Sequence, residues 1–362
     1  MKTLNLNLKT LTATPAALNV PRADLTASRK ALNAFSLKDS DRAFPSSLLT
    51  APASNPKVEK NGKVGVLTAV LHLTPWKGAG ALTLNGRAVT LNTCAAATEG
   101  CIRACLHMNG NPAYLPAKES ARRVRTRAYY AEREAFMLTL VAEVAALARK
   151  AAREGFQPGI RLNGTSDVPF ERVPVTVNGR AFSNIMEAFP GVEFYDYTKV
   201  AKRAVAFGEG RLPENYHMTF SRSGLNDSDV ERVLTAGGNV AAVFTPEVAD
   251  RILKAGLIRL TRNGPAVPAV NGDEHDFRPV DGAGVAVILA EKRGGLKTGE
   301  RPADGEFVVT HVAPDPDGVL ALHPVKARRK PSPAELKGAR VADLAAFRDG
   351  PSRPVSLPAF PG

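Results

Sequence analysis

Tyr216 to Ala255 reads YHMTFSRSGLNDSDVERVLTAGGNVAAVFTPEVADRILKA. Two β-rich runs, Tyr216 to Ser221 and Asn239 to Phe244, alternate with helical stretches at Asp227 to Ala236 and Glu247 to Ala255. The same rhythm extends outward. Gly159 to Asn163, Val192 to Tyr197 and Ala266 to Val270 read as further strands, and Asn184 to Phe189 as a further helix. Alternation of this kind favours parallel strands joined by right-handed crossovers, so the expected fold is α/β: a partial (β/α) barrel or a doubly wound, mostly parallel sheet.

Upstream, Val64 to Thr74 (VGVLTAVLHLT) is almost continuously apolar, as a strand buried on both faces should be, and Pro75 and Gly78 end it. Leu82 to Leu91 centres on Asn85-Gly86, the turn dipeptide of a hairpin. A long helix is expected from Ala117 to Glu154, stopped by Gly155 and Pro158. Gly284 to Glu291 and Glu306 to His311 are expected to close the sheet. No repeat of solenoid period is present.

With 362 residues, 44% hydrophobic and 23% charged, the chain has the composition of a globular protein. The reading is one core domain, residues 56–312, between an extended N-terminal arm over 1–55 and a disordered, Pro-rich basic tail over 313–362. The arm carries at most a short helix near Ala27 to Phe35. Lys326 to Arg353 holds eight basic and three acidic residues, net +5. Net charge is +13 with a pI near 9.8, a balance that accompanies anionic partners. The opening residues lack an apolar run of signal-peptide length, and no segment approaches the ~20 apolar residues of a membrane span. A cytoplasmic location without membrane association is expected.

All three cysteines lie in one loop, NTCAAATEGCIRACL, with six residues between Cys94 and Cys101 and three between Cys101 and Cys105. An odd number of thiols without an export signal argues against a disulfide framework and for thiolate chemistry. Cys101 and Cys105 are one helical turn apart, and Gly100 with Ala95 to Ala97 would let Cys94 fold back to them. Structural zinc prefers four ligands with close pairs, and the fourth here would be His107 or a distant histidine. A [4Fe-4S] cluster can use three cysteines and leave one iron open, which makes it the favoured reading. Zinc and unligated redox cysteines are the alternatives. The spacing departs from the three-then-two pattern of the radical S-adenosylmethionine (SAM) enzymes, so SAM enters only as a looser analogy with their barrels.

Polar runs follow the predicted strands: Arg161 to Asp167 (RLNGTSD), Tyr195 to Lys199 (YDYTK), His217 to Arg222 (HMTFSR) and Asn271 to Asp276 (NGDEHD). In barrel folds the loops after strand C-termini build the active site, so these runs and the cysteine loop should meet in one pocket. Asp167, Asp196 and Lys199 are the candidate catalytic residues. Asn163, Thr165, Ser166, His217 and Ser221 are candidates for binding a cofactor. Glu274, His275 and Asp276 raise a second metal hypothesis, whereas His72, inside an apolar strand, reads as a core histidine. Arg122, Arg123, Arg125 and Arg127 open the long helix and could meet phosphate or nucleic acid, with Tyr129 and Tyr130 stacking on a base; a solvated basic face is the equal alternative.

On the cysteine loop, RLNGTSD, IMEAFPGVEFYDYTK, NYHMTFSRSG and NGDEHDFRP, the chain resembles a family of phage and bacterial proteins named after phage gene product 88, over about Asn55 to Lys292. Family members often have proline after the first cysteine, where this chain has Ala95, which should alter the stiffness of the loop more than its ligation. The resemblance implies phage or prophage origin and a shared site built from these runs, and brings no assigned activity. Together these readings lead to an iron-sulfur enzyme, radical-SAM-like by analogy, acting on a nucleotide, nucleic acid or other phosphorylated substrate. Two rivals are a zinc-stapled nucleic-acid-binding protein without catalysis and a phage protein that inhibits a host factor.

Overall fold

Nearly continuous burial along Tyr216–Ser221 and Asn239–Phe244 marks these strands as the centre of a sheet covered on both faces. The computed structural model describes residues 18–52, 56–103, 105, 116–224, 226–291 and 307–322. His107, Lys292, Glu306 and the basic run Lys326 to Arg353 lie outside them.

The principal strands are β1 (Val66–Val70), β4 (Gln157–Arg161), β7 (Glu193–Thr198), β8 (Tyr216–Ser221), β9 (Asn239–Phe244) and β12 (Ala286–Ala290). They lie side by side in that order, every neighbouring pair parallel. Beyond β12 follow β11 (Ala266–Asn271), β10 (Leu257–Arg259), β15 (Leu320–Leu322) and β14 (Val312–Pro314), while β13 (Val308–Val309) extends β9 near its C-terminal end. Ten of the eleven strands form one pairing path from β1 to β14, and β13 lies off it on β9. The sheet is mixed but mostly parallel, as the alternation predicts.

Of the two expected windings, the barrel-like one is present. Strand order advances in one direction from β1 to β9. The covering helices α5 (Arg133–Glu154), α7 (Ala201–Gly208), α8 (Asp227–Thr235) and α9 (Pro246–Ala255) all bury side chains in one cluster with Ile160, Phe194, Phe220, Val240 and Ala286. Side chains alternate along a strand, so the residues between these point to the opposite, concave face. That face is filled by the turn at Lys60–Val64 and the segment after β11. Asn61 Nδ2 donates to Thr68 Oγ1 at 2.9 Å and to the Tyr195 hydroxyl at 3.2 Å, and Asn61 Oδ1 accepts from the Asp276 amide at 2.7 Å.

Four details differ from the sequence reading. Residues 18–52 are not simply extended, because α1 (Arg22–Ser40) is a 19-residue helix that packs on α5. Its buried stripe is Ser28, Leu32 and Ser36, which carries too little hydrophobicity to stand out. Second, the long helix is broken at Glu132 (φ −122°, ψ 51°) into α4 (Pro116–Ala131) and α5, with Tyr129 and Phe136 packed edge to face across the break. Third, α7 follows β7 where no helix is expected. Fourth, residues 313–322, assigned to the tail, supply the rest of β14 after Val312 and all of β15, and Val312, Leu320 and Leu322 are buried in the main cluster. The hairpin is as read: β2 (Ala81–Leu84) and β3 (Arg87–Thr90) turn through Asn85 and Gly86, both at positive φ.

Candidate functional site

The cysteine loop is laced to the C-terminal ends of β1 and β4. The Asp167 amide donates to the Thr93 carbonyl at 2.7 Å, Thr93 Oγ1 to the Thr74 carbonyl at 2.7 Å, and Thr165 Oγ1 to the Leu73 carbonyl at 2.5 Å. Cys94 Sγ lies 3.9 Å from the Thr165 carbonyl. Cys101 sits in the short helix α3 (Glu99–Arg103), whose Gly100 is so close to Phe307 that a Cβ there would lie 3.1 Å from the Phe307 Cβ. Lys199 Nζ stands 5.3 Å from the centre of the same ring and donates to Ser221 Oγ at 2.7 Å. A continuous set of contacts therefore joins the cysteine helix to the C-terminal ends of β7 and β8.

The Cys94 thiol is pushed up from its ordinary value, chiefly by burial, with Asp167 and Cys101 acting in the same direction. Cys105 acts electrostatically on Arg122. Among the described residues, no three His, Cys, Asp or Glu side chains stand close enough together to hold a metal ion. The donor set is chemically suited to a soft metal, since three thiols share one loop, and Cys94 and Cys101 stand within each other's field.

Asp196, Asn163, Ser166 and Asp167 belong to one network on the helix-covered face. Asp196 is fully buried; it accepts from the Asn163 amide at 2.7 Å, Asn163 Nδ2 at 3.0 Å and the Tyr216 hydroxyl at 2.9 Å. Burial pushes its carboxyl up to about 7, against the pull of those donors and of Arg161 and Arg203. Ser166 Oγ donates to Asn163 Oδ1 at 2.9 Å. Asp167 accepts from the Lys199 amide, Thr198 Oγ1 and Arg203 Nη1, and Arg203 also grips Glu171 through Nε at 2.8 Å and Nη2 at 2.9 Å. Asp196 cannot line a pocket on the concave face, because Tyr195 and Tyr197 on either side of it take that face. His217 and Ser221, expected to share a ligand, sit at opposite ends of β8. His217 Nε2 meets Asn239 Nδ2 at 3.5 Å, and burial pushes its imidazole down to about 3.

The arginine run is split. Arg125 donates to the Ser47 carbonyl through Nε and Nη2, and Arg127 pairs with Asp39 while donating to the Ala79 and Ala81 carbonyls. Arg123 is exposed, and Arg122 is turned toward Cys105 and His72. Tyr129 is buried in the core and so offers no base-stacking face, and the half-buried Tyr130 donates its hydroxyl to the Asn92 carbonyl. The NGDEHD segment is likewise dispersed. Asp273 accepts from the Ala290 amide, Glu274 from Asn271, His275 meets Arg278, and Asp276 pairs with Arg161 at 2.9 Å.

Sequence reasoning missed the concave face. Arg161 Nη1 holds Asp276, whose Oδ2 also accepts from Tyr195, and the Arg161 guanidinium lies 4.8 Å over the Tyr197 ring. One layer further toward the strand ends, Tyr197 and Thr219 are direct register partners. Among the described residues, the Tyr197 hydroxyl, Thr219 Oγ1, Arg161 Nε and His72 Nδ1 are buried and find no hydrogen-bond partner. The His72 imidazole is pushed down to about 3 by burial and by Arg122, Arg161 and Arg125. A usable signal was the polar alternation Arg161, Tyr195, Tyr197, Thr219 at every second position of strands otherwise rich in apolar residues.

No described helix is long and apolar enough to cross a membrane. Comparison with curated proteins and with solved structures finds no match. A family comparison does: the gene product 88 family is matched over residues 47–309, most of the chain and all of the site just described. The chain is a member of the gene product 88 family.

Proposed function

We propose that this protein is an iron-sulfur enzyme with its active site at the C-terminal mouth of the parallel sheet, acting on a nucleotide, a nucleic acid or another phosphorylated substrate. The observation that carries the reading is the docking of the cysteine loop. Cys94 lies against the Thr165 carbonyl, and the helix of Cys101 leans on Phe307 beside Lys199 and Ser221. Convergence of Cys94, Cys101 and Cys105 on one cluster is part of the proposal. A [4Fe-4S] cluster held by three thiolates supplies redox chemistry and one iron open to a ligand. SAM as that ligand rests on analogy alone.

The chain's own groups would act around it. Cys94 must lose its proton on ligation, and burial resists that loss, so loading should release protons and weaken in acid. Lys199, fixed by Ser221 and Phe307, offers a cation at the mouth. Because Arg125 and Arg127 are occupied within the chain, the arginine helix is a poor phosphate surface, and a purely nucleic-acid-binding role loses support.

Anaerobic purification of the full chain followed by iron, sulfide and zinc analysis tests the proposal. Iron and sulfide in equal amounts, lost in Cys101→Ser, are expected. A colourless protein without iron sinks it, and stoichiometric zinc would favour a structural staple.

A further inference from the structure

We infer that the concave face of the sheet, beneath the cysteine loop, holds a site for the phosphate group of a small ligand, formed by Arg161, Tyr197, Thr219 and His72. The inference deepens the reading above by naming the group and its seat, and relies on it only for the presence of a substrate at this mouth.

Four buried polar atoms without partners occur here on one face. Tyr197 and Thr219 are paired in register on adjacent parallel strands, so their side chains project together. Thr219 has no exposed surface, and its Oγ1, the Tyr197 hydroxyl, Arg161 Nε and His72 Nδ1 lack partners. On the opposite face of the same strands, Asp196 and its neighbours are satisfied in detail. Orphaned donors in a native interior call for an explanation, and a shared ligand accounts for all of them at once.

A Cβ at Gly164 would come 2.5 Å from Val70 Cγ1 and 2.6 Å from His72 Nδ1, so only glycine at that position of RLNGTSD leaves the imidazole where it is. Arg161 cannot turn away, being held by Asp276 at 2.9 Å and stacked on Tyr197. On the far side, Ala241, Val285 and Val287 form an apolar wall against which Tyr197 packs.

The local charge selects an anion. Arg122, Arg161 and Arg125 act on His72, and Arg161 and Arg278 on Tyr197, against the carboxylates of Asp276 and Asp281, which leaves an excess of positive charge. Two hydroxyls, a guanidinium N–H and an imidazole approaching from three strands and the loop after β1 match the spread oxygens of a phosphate better than the planar pair of a carboxylate. The site lies opposite the helix arginines that the sequence first suggests.

Titrating the full chain with inorganic phosphate by calorimetry, at constant ionic strength, tests the inference, with acetate as the control anion. Phosphate should bind and acetate should not. Thr219→Val and Tyr197→Phe should each weaken phosphate binding about tenfold, the effect of one charge-assisted hydrogen bond. Both variants should melt no lower than the parent protein in phosphate-free buffer, and if one fails to fold, the other decides. Absence of phosphate binding, equal binding of acetate, or undiminished binding in the variants would each overturn it. The triple Cys94→Ser, Cys101→Ser, Cys105→Ser variant should bind phosphate as the parent does. Loss of iron with phosphate binding intact therefore removes only the cluster proposal, and the converse removes only this one.

Discussion

Two buried polar networks flank the same strands and differ in one respect. On the helix-covered face, Asp196, Asn163, Tyr216, Arg203, Asp167 and Glu171 satisfy one another through several short hydrogen bonds. On the concave face, Arg161, Tyr197, Thr219 and His72 leave donors or acceptors unmet. A satisfied network fixes the geometry of a core, whereas an unsatisfied one costs stability that a bound group can repay. The first set, which contains the carboxylates that look most catalytic in the sequence, ties the strands to the helix layer through Arg203. The second contains the groups with capacity left to bind.

Substitutions on the two faces should separate these roles. The largest effect is expected for Arg203→Met, which strands the carboxylates of Asp167 and Glu171 in surroundings where Arg203 itself is 4% exposed. Chemical denaturation should show a loss of about 3–5 kcal/mol, as for other broken buried pairs. A loss below ~1 kcal/mol would mean that the network is not structural.

Asp196 should show itself through pH. Its folded carboxyl is raised from 3.8 to about 7, so between those values the folded state holds a proton that the unfolded chain has released. Its contribution is therefore full below pH 3.8 and lost as pH rises through about 7, by roughly 3–4 kcal/mol over the window. Asp196→Asn should remove that slope. The comparison must be made as variant minus parent, because His72 and His217, both pushed down to about 3, impose the opposite slope as their unfolded forms protonate. Identical pH profiles for parent and variant would contradict the assignment.

On the concave face the sign reverses. Thr219→Val removes a hydroxyl that has no partner and keeps the shape, so without ligand it should be neutral or stabilising by up to ~1 kcal/mol in the same denaturation assay. A clear destabilisation would show that Oγ1 has a structural partner and would blur the contrast between the faces. The smallest effect belongs to Arg123→Ala at an exposed position of α4, within about 0.5 kcal/mol. A tenfold loss of phosphate binding in that variant would return the anion site to the helix arginines.

Much of the architecture was legible from local pattern. The apolar run after Val64, the Asn85-Gly86 turn and the strand-helix alternation through Ala255 each follow from side-chain periodicity or glycine's tolerance of positive φ, which neighbours in sequence decide. The elements misread were those whose pattern is weak. α1 buries serines on either side of Leu32, and β14 and β15 are three residues each around an Asp-Pro-Asp-Gly turn. The cysteine loop was visible as a cluster in the chain, and its docking against the end of β4 agrees with its place in the sequence.

What the sequence determined by itself was the kind of element at most positions, the parallel sheet those elements imply, and membership of a family defined by the same motifs. Only the tertiary structure decided which face each polar residue serves. A one-residue step along β7 sends Asp196 into the helix layer and Tyr197 onto the concave face, and winding all the covering helices to one side makes those faces unlike. Polar residues in a strand look alike in sequence because their meaning depends on partners supplied by other strands: Arg203 closes one network from a helix, and no described residue closes the other.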